Sequence, residues 1–243
     1  MKIKPISFRG TTFQICYTDH WGDNPNKRNP HPSWCTFDDE VNVRESKWLI
    51  EPGDCVFDVG ACFGSYTLTA LAAGAEHVVA WSPQGLQGDN LWDADYLFSS
   101  LKLNGWESKC EVCTFGLYDR DGWLNEVTQE FSESELPRVG DVLANDIIKV
   151  TSMDHWIAPK LDWYRGHFKK FWLKIDVEGA EVEVLKGALN CISVLKPMIL
   201  TENHIDKRST IEQEVRDVLL GIGYKEISTD KYHQISHSLY GAV

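Results

Sequence analysis

Four polar residues stand where apolar runs of this 243-residue chain stop, Asp58, Ser82, Asp176 and Glu202, and His204 follows two places after the last of them. Carboxylates so placed accept hydrogen bonds from ammonium or hydroxyl groups or hold a hard cation, and a histidine, whose unperturbed pKa lies close to neutrality, can take up a proton there. Asp58 also opens the pattern D-x-G-x-x-x-G, in which Gly60 and Gly64 bracket Ala61, Cys62 and Phe63. A dinucleotide site calls for G-x-G-x-x-G, with its second glycine against a pyrophosphate. An acid inside the strand end would repel a pyrophosphate but could accept hydrogen bonds from an ammonium group. The candidate cofactor contacts are Asp58, Gly60, Ala61, Cys62, Phe63, Gly64, Ser65, Tyr66, Ser82 and Asp176; the candidate catalytic residues are His204, Asp176 and Glu202.

These side chains need a scaffold, and the hydrophobic pattern supplies one. Val56 to Val59 reads as a buried strand after the Pro52-Gly53 turn, followed by the glycine loop and a helix from Tyr66 to Ala73, with Ser65 as N-cap and Gly74 as its exit. The N-terminus of such a helix offers amide N–H groups and a partial positive charge to an anionic group. His77–Trp81 is the second strand, and 93–105 a helix whose Ala94, Leu97, Phe98 and Leu101 share a face. Glu111 to Leu117 reads as the third strand, Phe171 to Asp176 as the fourth and Met198 to Thr201 as the fifth, running into Glu202-Asn203-His204. A helix follows Val177 to Leu189, a second follows the capping box Ser209–Glu212 with Ile211, Val215, Val218 and Leu219 as its stripe, and Tyr224–Ile227 and Lys231–Tyr240 close the sheet. The alternation predicts an α/β fold, doubly wound around a mostly parallel seven-stranded sheet, with ligands outside the carboxyl ends of the strands.

Residues 1–17 predict a β-hairpin turning at Arg9-Gly10, residues 19–34 a proline- and asparagine-rich lid or substrate-contacting loop, and 39–50 a helix. We expect one domain, with 1–50 as extension and 51–243 as core. Between Trp123 and Lys170 periodicity is weak apart from a helix at 150–157 with Ser152 as a possible cap. The net charge of −12 argues against nucleic acid and anionic membranes as partners and for a small-molecule acceptor; Arg165, His167, Lys169, Lys170 and Lys174, interleaved with aromatics, read as a solvated face. Seven cysteines, an odd number falling partly in apolar runs, suggest free thiols in a reducing compartment, and the lone C-x-x-C at Cys110 and Cys113 is a poor zinc site because residues three apart in a strand face opposite ways. No signal-like or membrane-length apolar run is present in the sequence, so a soluble, cytoplasmic protein is expected.

D-x-G-x-x-x-G resembles the first motif of class I S-adenosylmethionine-dependent methyltransferases. Together with Leu173-Lys174-Ile175-Asp176-Val177-Glu178-Gly179-Ala180-Glu181 and the Gly116-Leu117-Tyr118-Asp119 turn, it is similar to the FkbM family of these enzymes over roughly residues 50 to 205. The resemblance implies a Rossmann-like seven-stranded fold, S-adenosylmethionine as cofactor, and methyl transfer to oxygen, often on a sugar or natural-product hydroxyl. It departs at Ser82-Pro83, where the family commonly has Glu-Pro and where class I enzymes hold the ribose hydroxyls with an acid. His204 is the expected base, its imidazole pKa raised and its ring oriented by Glu202 and Asp176, with Asp176 as the alternative base, although Asp176 could instead cap the helix at Val177 and His204 could be an exposed loop residue. Asp176, Glu202 and Asn203 could hold a divalent metal as some class I oxygen methyltransferases do, though no metal is assigned. A catalytically silent protein that keeps the fold for binding is the rival reading, supported by Ser82; a dehydrogenase fits the glycine spacing less well.

Overall fold

Cys55, Phe57 and Val59 point into one apolar layer and Val56 into another, so the strand they form is covered on both faces. This is β3 (Cys55–Val59), the third strand after the N-terminal hairpin β1 (Lys2–Phe8) and β2 (Thr11–Tyr17). The computed structural model describes residues 1–17, 47–84, 93–125, 131–133, 147–232 and 234–243. The expected lid at 19–34 and most of the helix expected at 39–50 lie outside the described residues.

From β3 the chain passes through α1 (Ser65–Ala72), β4 (His77–Trp81), α2 (Asp93–Asn104), β5 (Cys110–Cys113), β6 (Gly116–Tyr118), β7 (Gly122–Asn125), β8 (Phe131–Ser132) and β9 (Ile147–Ser152). It continues with α3 (Met153–Ile157), α4 (Leu161–His167), β10 (Phe171–Ile175), α5 (Glu181–Lys186), α6 (Leu189–Leu195), β11 (Met198–His204), α7 (Ile211–Gly221), β12 (Tyr224–Tyr232) and β13 (Ile235–Ala242). The main sheet has seven strands in the order β12-β13-β11-β10-β3-β4-β5. From β5 to β11 all neighbours are parallel, whereas β13 pairs antiparallel with both β11 and β12. The sheet is therefore mixed, because the last two strands form a hairpin and a hairpin reverses direction.

One face of the sheet packs Phe57, Trp81, Leu173 and Ile199 against α3 to α7, and the other packs Val56, Val78, Trp172 and Leu200 against α1, α2 and the hairpin. The hairpin turns at Arg9 and Gly10, both in the left-handed region (φ 45° and 81°), as a two-residue turn matching the strands' twist requires. Side chains of α2 satisfy its edge: the Gln14 and Cys16 amides donate to Asn104 Oδ1 and Ser100 Oγ, both at 2.8 Å. Turning Ser100 inward leaves Phe98, expected on the buried face, about half exposed.

Several expected boundaries move. The run expected as one strand at 111–117 is two, because β6 leaves the main sheet for a four-stranded sheet ordered β6-β9-β7-β8, which the weak periodicity of that region concealed. The helix expected at 150–157 begins only at Met153, with Ser152 capping it by accepting from the His155 amide. The helix expected to reach Leu189 breaks at Gly187, where an added Cβ would lie 2.0 Å from the Tyr118 carbonyl oxygen. Gly64, not Ser65, is the N-cap of α1, since the chain enters there at φ 96°. Thr210 rather than Ser209 precedes α7, with no side-chain cap bond. Cys110 and Cys113 do face opposite layers, and the described cysteines are free thiols.

Candidate active site

Strand β3 ends in the glycine turn, and the turn is set by the neighbouring strand. Gly60 (φ 77°) lies so close to β10 that a Cβ would stand 1.7 Å from the Asp176 carbonyl oxygen, and a Cβ on Gly64 would meet Leu97 Cδ1 at 2.4 Å. These glycines are thus required by packing within the protein, before any ligand is considered. The Gly60 and Ala61 amides both donate to the Trp81 carbonyl, and Cys62 adopts φ 51°. Ala61, Phe63 and Tyr66 are buried in the α1 layer.

Beneath the turn lies a side chain expected on a solvated face. Lys174 is 3% exposed, and its Nζ donates to the Gly60 carbonyl (2.8 Å) while standing 3.3 Å from Asp58 Oδ1, 3.1 Å from Asp176 Oδ2 and 4.9 Å from the centre of the Tyr66 ring. Lys174 and Asp58 are direct partners in the parallel register of β10 and β3, so the strands themselves bring the charges together. Burial alone would push the lysine pKa down, but Asp176, Asp58 and Glu202 hold it protonated, above its ordinary value. Asp58 is fully buried and also accepts from Thr67 Oγ1 (2.6 Å) in the first turn of α1, so it ties strand, turn and helix together rather than facing a ligand. Ser82 is likewise buried and donates to the Cys62 carbonyl (2.9 Å), bracing the left-handed turn. The Cys62 thiol donates to Asp93 Oδ2 (3.3 Å) at the start of α2.

Strand β11 runs three residues further than its apolar core, carried by antiparallel pairing with β13 as far as His204. Alternation then decides which side chains reach the site: Glu202 and His204 follow Leu200 on one face, and Asn203 turns to the other, where its Nδ2 donates to Ser236 Oγ at 3.1 Å. Asn203 is therefore not placed to join Asp176 and Glu202, and His204 takes that position: one atom each of Asp176, Glu202 and His204 lie within 4.8 Å of one another. His204 Nδ1 bonds Glu181 Oε1 at 2.8 Å; Glu202 Oε2 bonds His237 Nε2 at 2.8 Å. Glu181, wholly buried at the start of α5, also accepts from the Gly179 amide. Asp176 caps no helix, since α5 starts only at Glu181 behind Ala180.

Electrostatics separates the three. Burial alone would lower the His204 pKa, but the Glu181 hydrogen bond and the charges of Asp176 and Glu178 push it up to about 10. A ring so held carries a proton at neutral pH rather than receiving one. Burial and Glu202 drive the Asp176 pKa up against Lys174 and His204. For Glu202, burial is outweighed by His237, His204 and Lys174, and its pKa is driven down.

A model of the FkbM methyltransferase domain matches residues 58–226, from Asp58 through β11 into β12 and over more than half of the chain. The chain belongs to the FkbM methyltransferase family. Among solved structures, its fold is similar to that of the FkbM methyltransferase of Methylobacillus flagellatus KT (20% identity, TM-score 0.53, covering 79% of this chain and 43% of that one). It also resembles a proposed S-adenosylmethionine-dependent methyltransferase of Streptococcus mutans (9% identity, TM-score 0.52, covering 100% of this chain and 56% of that one). At these identities the likeness is one of fold, and the chain spans about half the length of each. No protein of curated function matches the sequence. The structure shows what the 173–181 stretch does here: Lys174 supports the turn, Asp176 reaches the site and Glu181 holds His204. Among the described residues no helix is long and apolar enough to cross a membrane.

Proposed function

We propose that the protein transfers a methyl group from S-adenosylmethionine to a hydroxyl of a small molecule, a sugar or a natural product. The observation that carries this reading is the convergence of Asp176, Glu202 and His204 at the strand ends, beside a turn that Lys174, Asp58 and Ser82 hold rigid. The residues suit the cofactor's amino-acid part: a turn with three left-handed residues leads into an eight-residue helix whose N-terminus favours a carboxylate. With Ser82 turned into the loop, Asp93 at the lip of the turn is the better candidate for the ribose hydroxyls. When bound, S-adenosylmethionine supplies an already activated methyl group, so the chain's task is alignment and proton removal. Asp176 suits the second part: Oδ2 is held by Lys174, while the side chain remains 24% exposed and, among the described residues, no hydrogen bond to Oδ1 is formed. His204 and Glu202 then act as positioning residues.

Calorimetry with S-adenosylmethionine and with nicotinamide dinucleotides, followed by transfer of labelled methyl to a panel of hydroxylated acceptors, tests the reading. Binding of S-adenosylmethionine alone, with label transferred to oxygen, is the expected result, and failure to bind it would overturn the assignment. The buried Ser82, which leaves the usual acidic position without an acid, favours a silent binding protein; that reading wins if the cofactor binds and label never moves.

A further inference from the structure

The three converging side chains share a pattern that hydrogen bonding among themselves does not explain. Each has one polar atom turned into the cluster and its other polar atom fixed from behind. Asp176 turns Oδ1 inward while Lys174 holds Oδ2 (3.1 Å), and Glu202 turns Oε1 inward while His237 holds Oε2 (2.8 Å). His204 turns Nε2 inward while Glu181 holds Nδ1 (2.8 Å). The inward Nε2 belongs to a side chain only 4% exposed, yet it stands 3.7 Å from Asp176 Oδ1, 3.6 Å from Glu202 Oε1 and 3.6 Å from Glu178 Oε1, beyond hydrogen-bond distance of every one. A buried ring nitrogen aimed at three carboxylate oxygens and bonded to none leaves a shared centre unfilled.

Charge points the same way. Asp58, Asp176, Glu178, Glu181 and Glu202 surround one lysine and two imidazoles, so these described residues carry surplus negative charge even with both rings protonated. We propose that Asp176 Oδ1, Glu202 Oε1 and His204 Nε2 form a divalent-cation site, the cation displacing the Nε2 proton to solvent, with Glu181, His237 and Lys174 as the outer residues that orient them. One imidazole and two carboxylates suit manganese, iron or zinc, and a buried carboxylate behind the ligating histidine is the arrangement that fixes its tautomer and ring plane. Ligands about 2.1–2.2 Å from a metal lie about 3.0–3.6 Å apart; His204 Nε2 stands close to that spacing from each carboxylate oxygen, and all three ligand atoms lie within 4.8 Å of one another. The cation's presence does not depend on methyl transfer. Its use does: under that reading it would draw the acceptor hydroxyl in and lower its pKa, taking over the part given to Asp176 in the bare site.

The test is Mn²⁺ titration of tag-free, chelator-stripped protein, followed by calorimetry and by loss of the free-ion electron paramagnetic resonance signal, with neither cofactor nor acceptor present. One Mn²⁺ should bind per chain. Glu202→Gln and His204→Gln should each weaken it at least tenfold, Glu181→Gln should weaken it about tenfold or more through the outer shell, and Glu178→Gln, whose side chain is 62% exposed, should change it less than threefold. Matched urea midpoints qualify the variants, and Asp176→Asn replaces any that unfolds. No binding of Mn²⁺, Zn²⁺ or Mg²⁺ at millimolar concentration, or equal binding by wild type and the ligand variants, overturns the proposal. Mn²⁺ binding without S-adenosylmethionine binding keeps the site and refutes methyl transfer; full transfer by stripped protein that binds no cation does the reverse.

Discussion

Replacing Lys174 with methionine keeps most of the stem and removes the charge on which the turn and its carboxylates depend. Its Nζ lies 3.3 Å from Asp58 and 3.1 Å from Asp176. With an effective dielectric constant of about 20, each contact is worth about 5 kcal/mol of gross attraction. Most of that is cancelled by the cost of burying the charges, and the contact with partly exposed Asp176 is further screened. Lys174→Met removes the attraction but leaves Asp58 buried with only the Thr67 hydroxyl, so the expected loss is that of a broken buried pair, about 3–5 kcal/mol. Asp58→Asn leaves Lys174 with Asp176 and the Gly60 carbonyl and should cost about 1–3 kcal/mol. Because the two residues touch, the double variant should be less destabilised than the sum of the singles by about 1–3 kcal/mol. Urea unfolding in chelator, followed by tryptophan fluorescence, reads this directly: with a slope of about 2–3 kcal/mol per molar, Lys174→Met should lower the midpoint by on the order of 1.5 M. A Lys174→Met midpoint within about 0.3 M of wild type, or singles that simply add, would refute the reasoning.

Gly60→Ala should fail to fold or unfold at much lower urea, since its Cβ meets the Asp176 carbonyl, whereas Gly105→Ala, at φ 67° in open space, should lose only about 1–2 kcal/mol for its left-handed backbone; parallel urea curves check the contrast. Ser82→Ala should cost about 1 kcal/mol and weaken S-adenosylmethionine binding by loosening the turn, and Ser82→Glu should not tighten it, because a buried carboxylate would replace a satisfied hydroxyl; calorimetry on both decides. His77, stacked on Phe168 and edged by Trp163, has its pKa lowered from 6.5 by burial. The unfolded chain then binds the proton first, so stability is full above 6.5 and falls as pH drops from there to the lower folded value, a loss that His77→Phe should abolish in urea curves between pH 7.5 and 5.

What the sequence showed well were local features with a strong period or a forced turn. The hairpin at Arg9-Gly10, strand β4 and the glycine turn each follow from a few neighbouring residues. The region from Trp123 to Lys170 is opaque, because its strands form a second sheet that joins β6 through β9 and is stabilised by contacts distant in sequence. At the site, Asp176, Glu202 and His204 were legible as polar residues at strand ends. Lys174 reads as a surface charge because nothing local marks a buried lysine; the signal lies in its place two residues before Asp176, hence on the same face of a buried strand. The same rule of two separates Glu202 and His204 from Asn203 once β11 is known to continue, and that continuation depends on a partner strand more than thirty residues away.

That dependence makes the site conditional on the end of the described chain. Glu202, Asn203 and His204 are held in register opposite His237, Ser236 and Ile235, and a slip of one residue would retract the Glu202 and His204 side chains and present an amide and a hydroxyl instead. During synthesis the glycine turn, Lys174 and Asp176 can all be in place before β13 leaves the ribosome, but the cluster is assembled only when that strand docks. The glycine turn is thus an early structure and the cluster of Asp176, Glu202 and His204 a late one.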